Sequence, residues 1–94
     1  MKIKMSAPTK RKVRTKKEYD GWVIMCPGCK QPHVFREGWS FNGNTEFPSF
    51  SPSLIVEVGK ERCHSFVTNG KIHFLLDCTH RLASRDVLLP LLED

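Results

Sequence analysis

Apolar and polar residues alternate most clearly on either side of Asn69-Gly70, where RCHSFV and KIHFLLDC flank a two-residue turn. A type I′ turn needs positive φ at both central positions, and Asn-Gly is a pair that supplies it readily. About that turn Thr68 pairs with Lys71, Val67 with Ile72, Ser65 with Phe74 and Cys63 with Leu76. Alternation then gathers Cys63, Ser65, Val67, Ile72, Phe74, Leu76 and Cys78 on one largely apolar face, which is the expected core face. The other face carries His64, Phe66, His73, Leu75 and Asp77, with His64 diagonal to Asp77 and Phe66 opposite His73.

The remaining pattern is also that of strands. An apolar run from Trp22 to Met25 enters a tight Cys-Pro-Gly-Cys turn, and a second strand follows around His33 to Phe35. SFNGNTEFPSFSPS reads as an irregular loop whose Phe41, Phe47 and Phe50 pack on the sheet. Leu54 to Val58 is β-branched, short, and bounded by Pro52 and Gly59, so it predicts a strand. Pro90 breaks any long helix in the C-terminal stretch, which reads as one helical turn and a last strand. The expected architecture is a small, mostly β, zinc-stabilised antiparallel domain, zinc-ribbon-like, with five or six short strands and little helix.

Charge divides the chain. Residues 1–17 hold eight basic residues and no acid, whereas the other seven basic residues are outnumbered by ten acids, so an arm of +8 precedes a remainder of −3. Dense like charge without amphipathic period predicts a disordered basic arm over residues 1–18 and a folded zinc-binding β domain over 19–94. Lys10, Arg11, Lys12, Arg14, Lys16 and Lys17 would neutralise phosphates, giving salt-sensitive nucleic-acid contact. The first twenty residues have no apolar run, and no stretch approaches the roughly 18 residues of a membrane span, so no membrane association is expected and the cytoplasm is the expected compartment.

In that reducing compartment four cysteines favour a metal over disulfides. Cys26 and Cys29 on a Gly-bearing turn can grip one tetrahedral ion, and the strand context around them does not fit a redox motif, which needs a helix after the first Cys. Two further ligands must come from Cys63, His64, Cys78, His80 or His33. The face parity favours Zn2+ held by Cys26, Cys29, Cys63 and Cys78, with His80 as the leading substitute and His64 if the register slips. The His64–Asp77 couple reads as a hydrogen-bonded pair on a half-exposed face; no nucleophile is evident beside it, which leans away from catalysis.

CPGC, GWSFNGNTEFPSFSPSL and CHSFVTNGKIHFLLDCTHRLA together resemble a family of small bacteriophage and prophage proteins of unknown function, over about residues 21–83. Some members of that family carry an ammonia monooxygenase label, for which the present residues offer no support. Lys30, where a glycine usually follows the Cys pair, and the basic arm depart from the pattern. The resemblance implies an accessory protein, in the cytoplasm of a host cell. Trp39, Asn42, Phe50, Ser51 and Ser53 form a candidate ligand pocket, set against a reading in which the loop's Gly, Pro and Asn merely make turns. Three functions follow as expectations: a zinc-stapled module whose arm contacts nucleic acid; a binder or inhibitor of a host protein or signalling nucleotide; and a zinc-dependent hydrolase using His64, Asp77 and His80.

Overall fold

The computed structural model describes residues 12–93, which form ten strands, all antiparallel in their pairings, and no helix. In chain order these are β1 (Lys12–Val13), β2 (Lys16–Glu18), β3 (Gly21–Cys26), β4 (Gln31–Phe35), β5 (Ser40–Phe41), β6 (Phe50–Val58), β7 (Glu61–Thr68), β8 (Lys71–Phe74), β9 (Asp86–Leu88) and β10 (Leu92–Glu93). They assemble into a three-stranded sheet, β2-β3-β4, a five-stranded sheet, β5-β6-β7-β8-β9, and a two-stranded pair, β1-β10. Among the described residues no helix is long and apolar enough to cross a membrane.

The core lies between the two larger sheets. Ile24 and Phe35 from one meet Phe50, Leu54, Val67, Ile72 and Phe74 from the other, with Leu89 sealing the edge. Phe35 and Phe50 stack face to face with centroids 4.2 Å apart, and Phe41 stacks on Phe50 at 4.8 Å. Each fully buried Phe or Ile contributes roughly 1.5–3 kcal/mol, and a domain of this size has few of them, which is why a further staple matters.

The β7-β8 hairpin has the register read from its turn: Thr68 faces Lys71, Val67 Ile72, Phe66 His73 and Ser65 Phe74. Asn69 and Gly70 both have positive φ, 50° and 82°. The pairing stops at Phe74, however, and the chain bends back with the Cys78 amide bonded to the Leu75 carbonyl. Leu76 is therefore 85 % exposed rather than in the core.

Three more expectations change. The folded unit begins before residue 19, because Val13 and Thr15 point inward from the last part of the basic segment and are 1 % and 0 % exposed. The Thr15 hydroxyl donates to the Val23 carbonyl at 2.7 Å, and β2 pairs with β3. Residues 1–11, with Lys10 and Arg11, lie outside the described residues. The aromatic loop carries β5, and β6 starts at Phe50, four residues earlier than expected. The C-terminal stretch has a turn at Arg81–Ser84 in place of a helical one, then two short strands instead of one.

Candidate active site and metal centre

The β6-β7 hairpin turns at Gly59-Lys60 and sets Ile55 opposite His64 and Leu54 opposite Ser65. Above Leu54 the ladder is irregular: it resumes only at Phe50 opposite Val67, so Ser51, Pro52 and Ser53 stand against the single residue Phe66. Pro52 has no amide to give a ladder, which suits such a bulge. Its consequence is local: Ser53, half-buried, is aimed at the histidine of the neighbouring strand.

Ser53 Oγ lies 3.1 Å from His64 Nε2, and His64 Nδ1 lies 3.2 Å from each carboxylate oxygen of Asp77. With Nδ1 facing a carboxylate, the proton of the neutral ring sits on Nδ1 and Nε2 is left to accept the serine hydroxyl. Burial tends to raise the Asp77 carboxyl, but the His64 hydrogen bond, then a bond from its own backbone amide, with the nearby Arg62 charge, outweigh it and hold it below the ordinary carboxylate range. Arg62 donates from Nε to Glu57 at 2.8 Å and lies 3.4 Å from Asp77; the hydrogen bond and charge of Glu57 raise its guanidinium further. Serine, imidazole and carboxylate in this order are a nucleophile, its base and the group that orients the base.

The backbone of His64 is pinned from behind. Its amide donates to Cys78 Sγ at 3.2 Å, the Cys78 thiol lies 3.1 Å from its carbonyl, and that carbonyl also accepts from the Leu75 amide at 2.9 Å. Cys78 is buried in this role and does not join the other three cysteines.

Those three gather with His80. The ligand atoms of Cys26, Cys29, Cys63 and His80 all lie within 4.8 Å of one another, and the Cys26 and Cys63 sulfurs are 3.8 Å apart. The substitute thus takes the place expected of Cys78, because the chain leaves the ladder after Phe74 and carries His80 round to the core side. Three observations fit a metal ion here. His80 Nε2 is buried with no hydrogen-bond partner, while its Nδ1 accepts the Leu82 amide at 3.2 Å. Gly28 makes room, since a Cβ there would overlap the imidazole. The three thiols also cannot all ionise together without a cation. The Cys63 hydrogen bond lowers Cys26 to about 5, whereas Cys29 is raised to about 11 by burial and by the Cys26 charge. Cys63 is raised most, by its hydrogen bond to Cys26 and by burial. Gly28→Ala is expected to displace the His80 ring and weaken metal affinity about 10- to 100-fold, as loss of a supporting group does, measured by competition with a chromogenic chelator.

The structure separates the other predicted residues. His64 meets Ser53 and Asp77 through its two ring nitrogens on the outer face of β7 while His80 lies with the cysteines, so His64, Asp77 and His80 do not surround one ion. His33 is buried beside the cluster, and burial above all lowers the pKa of its ring. Of the loop pocket, Phe50 is core, and Asn42 braces its own loop by accepting the Asn44 and Ser49 amides. Ser51 is exposed, and Trp39 lines an aromatic cleft of about 400 Å³ with Trp22, Phe35 and Phe41. Of the basic residues, Arg14 donates to the carbonyls of Leu89 and Glu46 and Lys17 covers the Trp22 ring, while Lys16 meets Glu18 and Lys12 is exposed.

Ser53, placed against His64, is the site residue whose pairing sequence reasoning missed. The signal was present in the second hairpin: registering the two strands about Gly59-Lys60 puts Ile55 opposite His64, and Ser53 on the same face one step along.

The chain belongs to the BubE family, described as bacterial ubiquitination-like system serine protease, whose model matches residues 2–75. That span takes in Ser53, His64 and the three clustered cysteines and ends two residues before Asp77. No curated protein and no solved structure matches the chain.

Proposed function

We propose that this member of the BubE family is a serine protease of a bacterial ubiquitination-like system, with Ser53 as nucleophile, His64 as general base and Asp77 as the residue that orients His64. The observation that carries the reading is the 3.1 Å approach of Ser53 Oγ to His64 Nε2, with Asp77 on the opposite ring nitrogen. Ser53 Oγ attacks the carbonyl carbon of the scissile bond as His64 Nε2 takes the hydroxyl proton. The imidazolium so formed stays paired with the Asp77 carboxylate, then gives that proton to the leaving amine as the acyl group passes to Ser53. Water completes the cycle by the same route: His64 takes its proton, the acyl-serine ester breaks, and Ser53 recovers its hydrogen.

The metal in this reading is Zn2+ held by Cys26, Cys29, Cys63 and His80, a set of soft thiolates and one imidazole that suits that ion. Four protein ligands make it structural. Cys63 and His64 are neighbours on β7 with side chains on opposite faces, so the ion braces the strand that carries the base without entering the reaction.

The test is reaction with a fluorophosphonate. The wild-type chain gains one phosphonyl group, Ser53→Ala gains none, and His73→Ala labels normally. His73 is an internal control, paired with Asp86 at 2.9 Å on the same face with no hydroxyl bonded to it among the described residues. Undiminished labelling of Ser53→Ala refutes the assignment.

A further inference from the structure

β6 has a free edge, and Ser53 stands at one end of it. On one side β6 pairs with β7 from Leu54 to Val58, whereas on the other β5 covers only Phe50 and Ser51. Among the described residues, no backbone group from Pro52 to Val58 has a partner on that second side.

Which groups point outward follows from the pairing. A two-residue turn at Gly59-Lys60 makes Val58 and Glu61 a hydrogen-bonded pair, and alternation extends this to Val56 with Cys63 and Leu54 with Ser65. Ile55 and Glu57 then aim their amides and carbonyls away from β7. The opposite strand agrees. The His64 amide and carbonyl are taken by Cys78 and Leu75, and those of Arg62 by Thr79, all on the side of β7 away from β6. The residues facing His64 and Arg62, which are Ile55 and Glu57, are therefore the ones open to an incoming strand.

Open edges are normally blunted by Lys, Pro or short length. From Ser53 to Val58 this edge has neither Lys nor Pro, and Ile55 and Val58 are 53 % and 68 % exposed on it. We propose that the substrate of the serine protease inferred above docks as an extended polypeptide strand on the Ile55–Glu57 edge of β6, which leads its scissile bond to Ser53. This rests on that reading and adds the mode of recognition, which is backbone pairing. Alternate side chains of the guest strand lie over Ile55 on the triad face. The others lie over the cleft of about 290 Å³ that Val56 and Val58 share with His33 and with the metal-centre residues Cys29, Cys63 and His80.

The test uses the full metal-loaded chain and a positional-scanning library of tetrapeptidyl aminomethylcoumarins, from which the best-cleaved peptide is remade with each backbone amide N-methylated in turn. Methylation at alternate amides is expected to lower kcat/KM about tenfold or more, with less than about threefold at those between. The same unmethylated peptide bound to Ser53→Ala should slow hydrogen exchange of the Ile55 and Glu57 amides about tenfold and leave Leu54 and Val56 unchanged. A flat methylation profile, unprotected Ile55 and Glu57 amides, or a library left uncleaved by a chain whose Ser53 reacts with fluorophosphonate each overturn the docking mode. A chain whose Ser53 does not react at all instead removes the protease reading beneath it.

Discussion

Ser53→Ala and His64→Ala will each lower kcat for hydrolysis of an activated ester by about 10³-fold or more, and the double variant will be no slower than either single one. His64 Nε2 lies within hydrogen-bond reach of Ser53 Oγ and would take its proton, so removing either group removes the same step. Independent contributions would multiply, and a double variant slower than both singles by the product of their effects would show that the two residues do not act together. Folding is expected to survive His64→Ala, because the amide and carbonyl that hold this position are bonded to Cys78 and Leu75 and belong to the backbone. Near-wild-type thermal unfolding of the variant checks this separately from its rate.

Stripping the metal will unfold the domain. Structural zinc binds with about 10–16 kcal/mol at neutral pH, and a small domain is stable by only about 5–15 kcal/mol, so a zinc ion held by this cluster would account for most or all of the margin. A strong chelator, or Cys26→Ser or Cys63→Ser, should abolish cooperative unfolding followed by circular dichroism and release the ion. Cys78→Ser should keep its metal, since the Cys78 sulfur bonds the His64 backbone and stands outside the cluster. A chain that stays folded in excess chelator, or a Cys78→Ser chain that loses the ion, would contradict this division of the four cysteines.

The hairpin about Asn69-Gly70 was legible because its turn chemistry sets the register, and from that register Phe66 stacks on His73, with ring centroids 4.6 Å apart; His64 meets Asp77 as expected, although the ladder stops at Phe74 before reaching it. Cys26, Cys29 and Cys63 were legible for a similar reason, the spacing of a turn and the parity of a strand. Parity failed where the strand ended: counting on past Phe74 placed Leu76 inside and assigned Cys78 the position that His80 takes. A strand end is set by tertiary partners, here the Thr79 contacts to the Arg62 amide and carbonyl, at 2.9 and 2.8 Å, that draw the chain back along β7. Val13 and Thr15 were hidden because two inward positions among eight lysines and arginines leave almost no periodic signal. Ser53 was hidden by company: in FPSFSPS its neighbours explain themselves as turn formers, and only the β6-β7 register, which puts Ile55 opposite His64, sets this one serine on the histidine's face.

The central claim is that Ser53 is the nucleophile, and peptide mapping of the fluorophosphonate-treated chain tests it most directly. The account predicts a single phosphonyl group, on Ser53, whose appearance slows sharply in His64→Ala. A phosphonyl group on any other residue, or none on a chain shown to be folded with its metal bound, would contradict it.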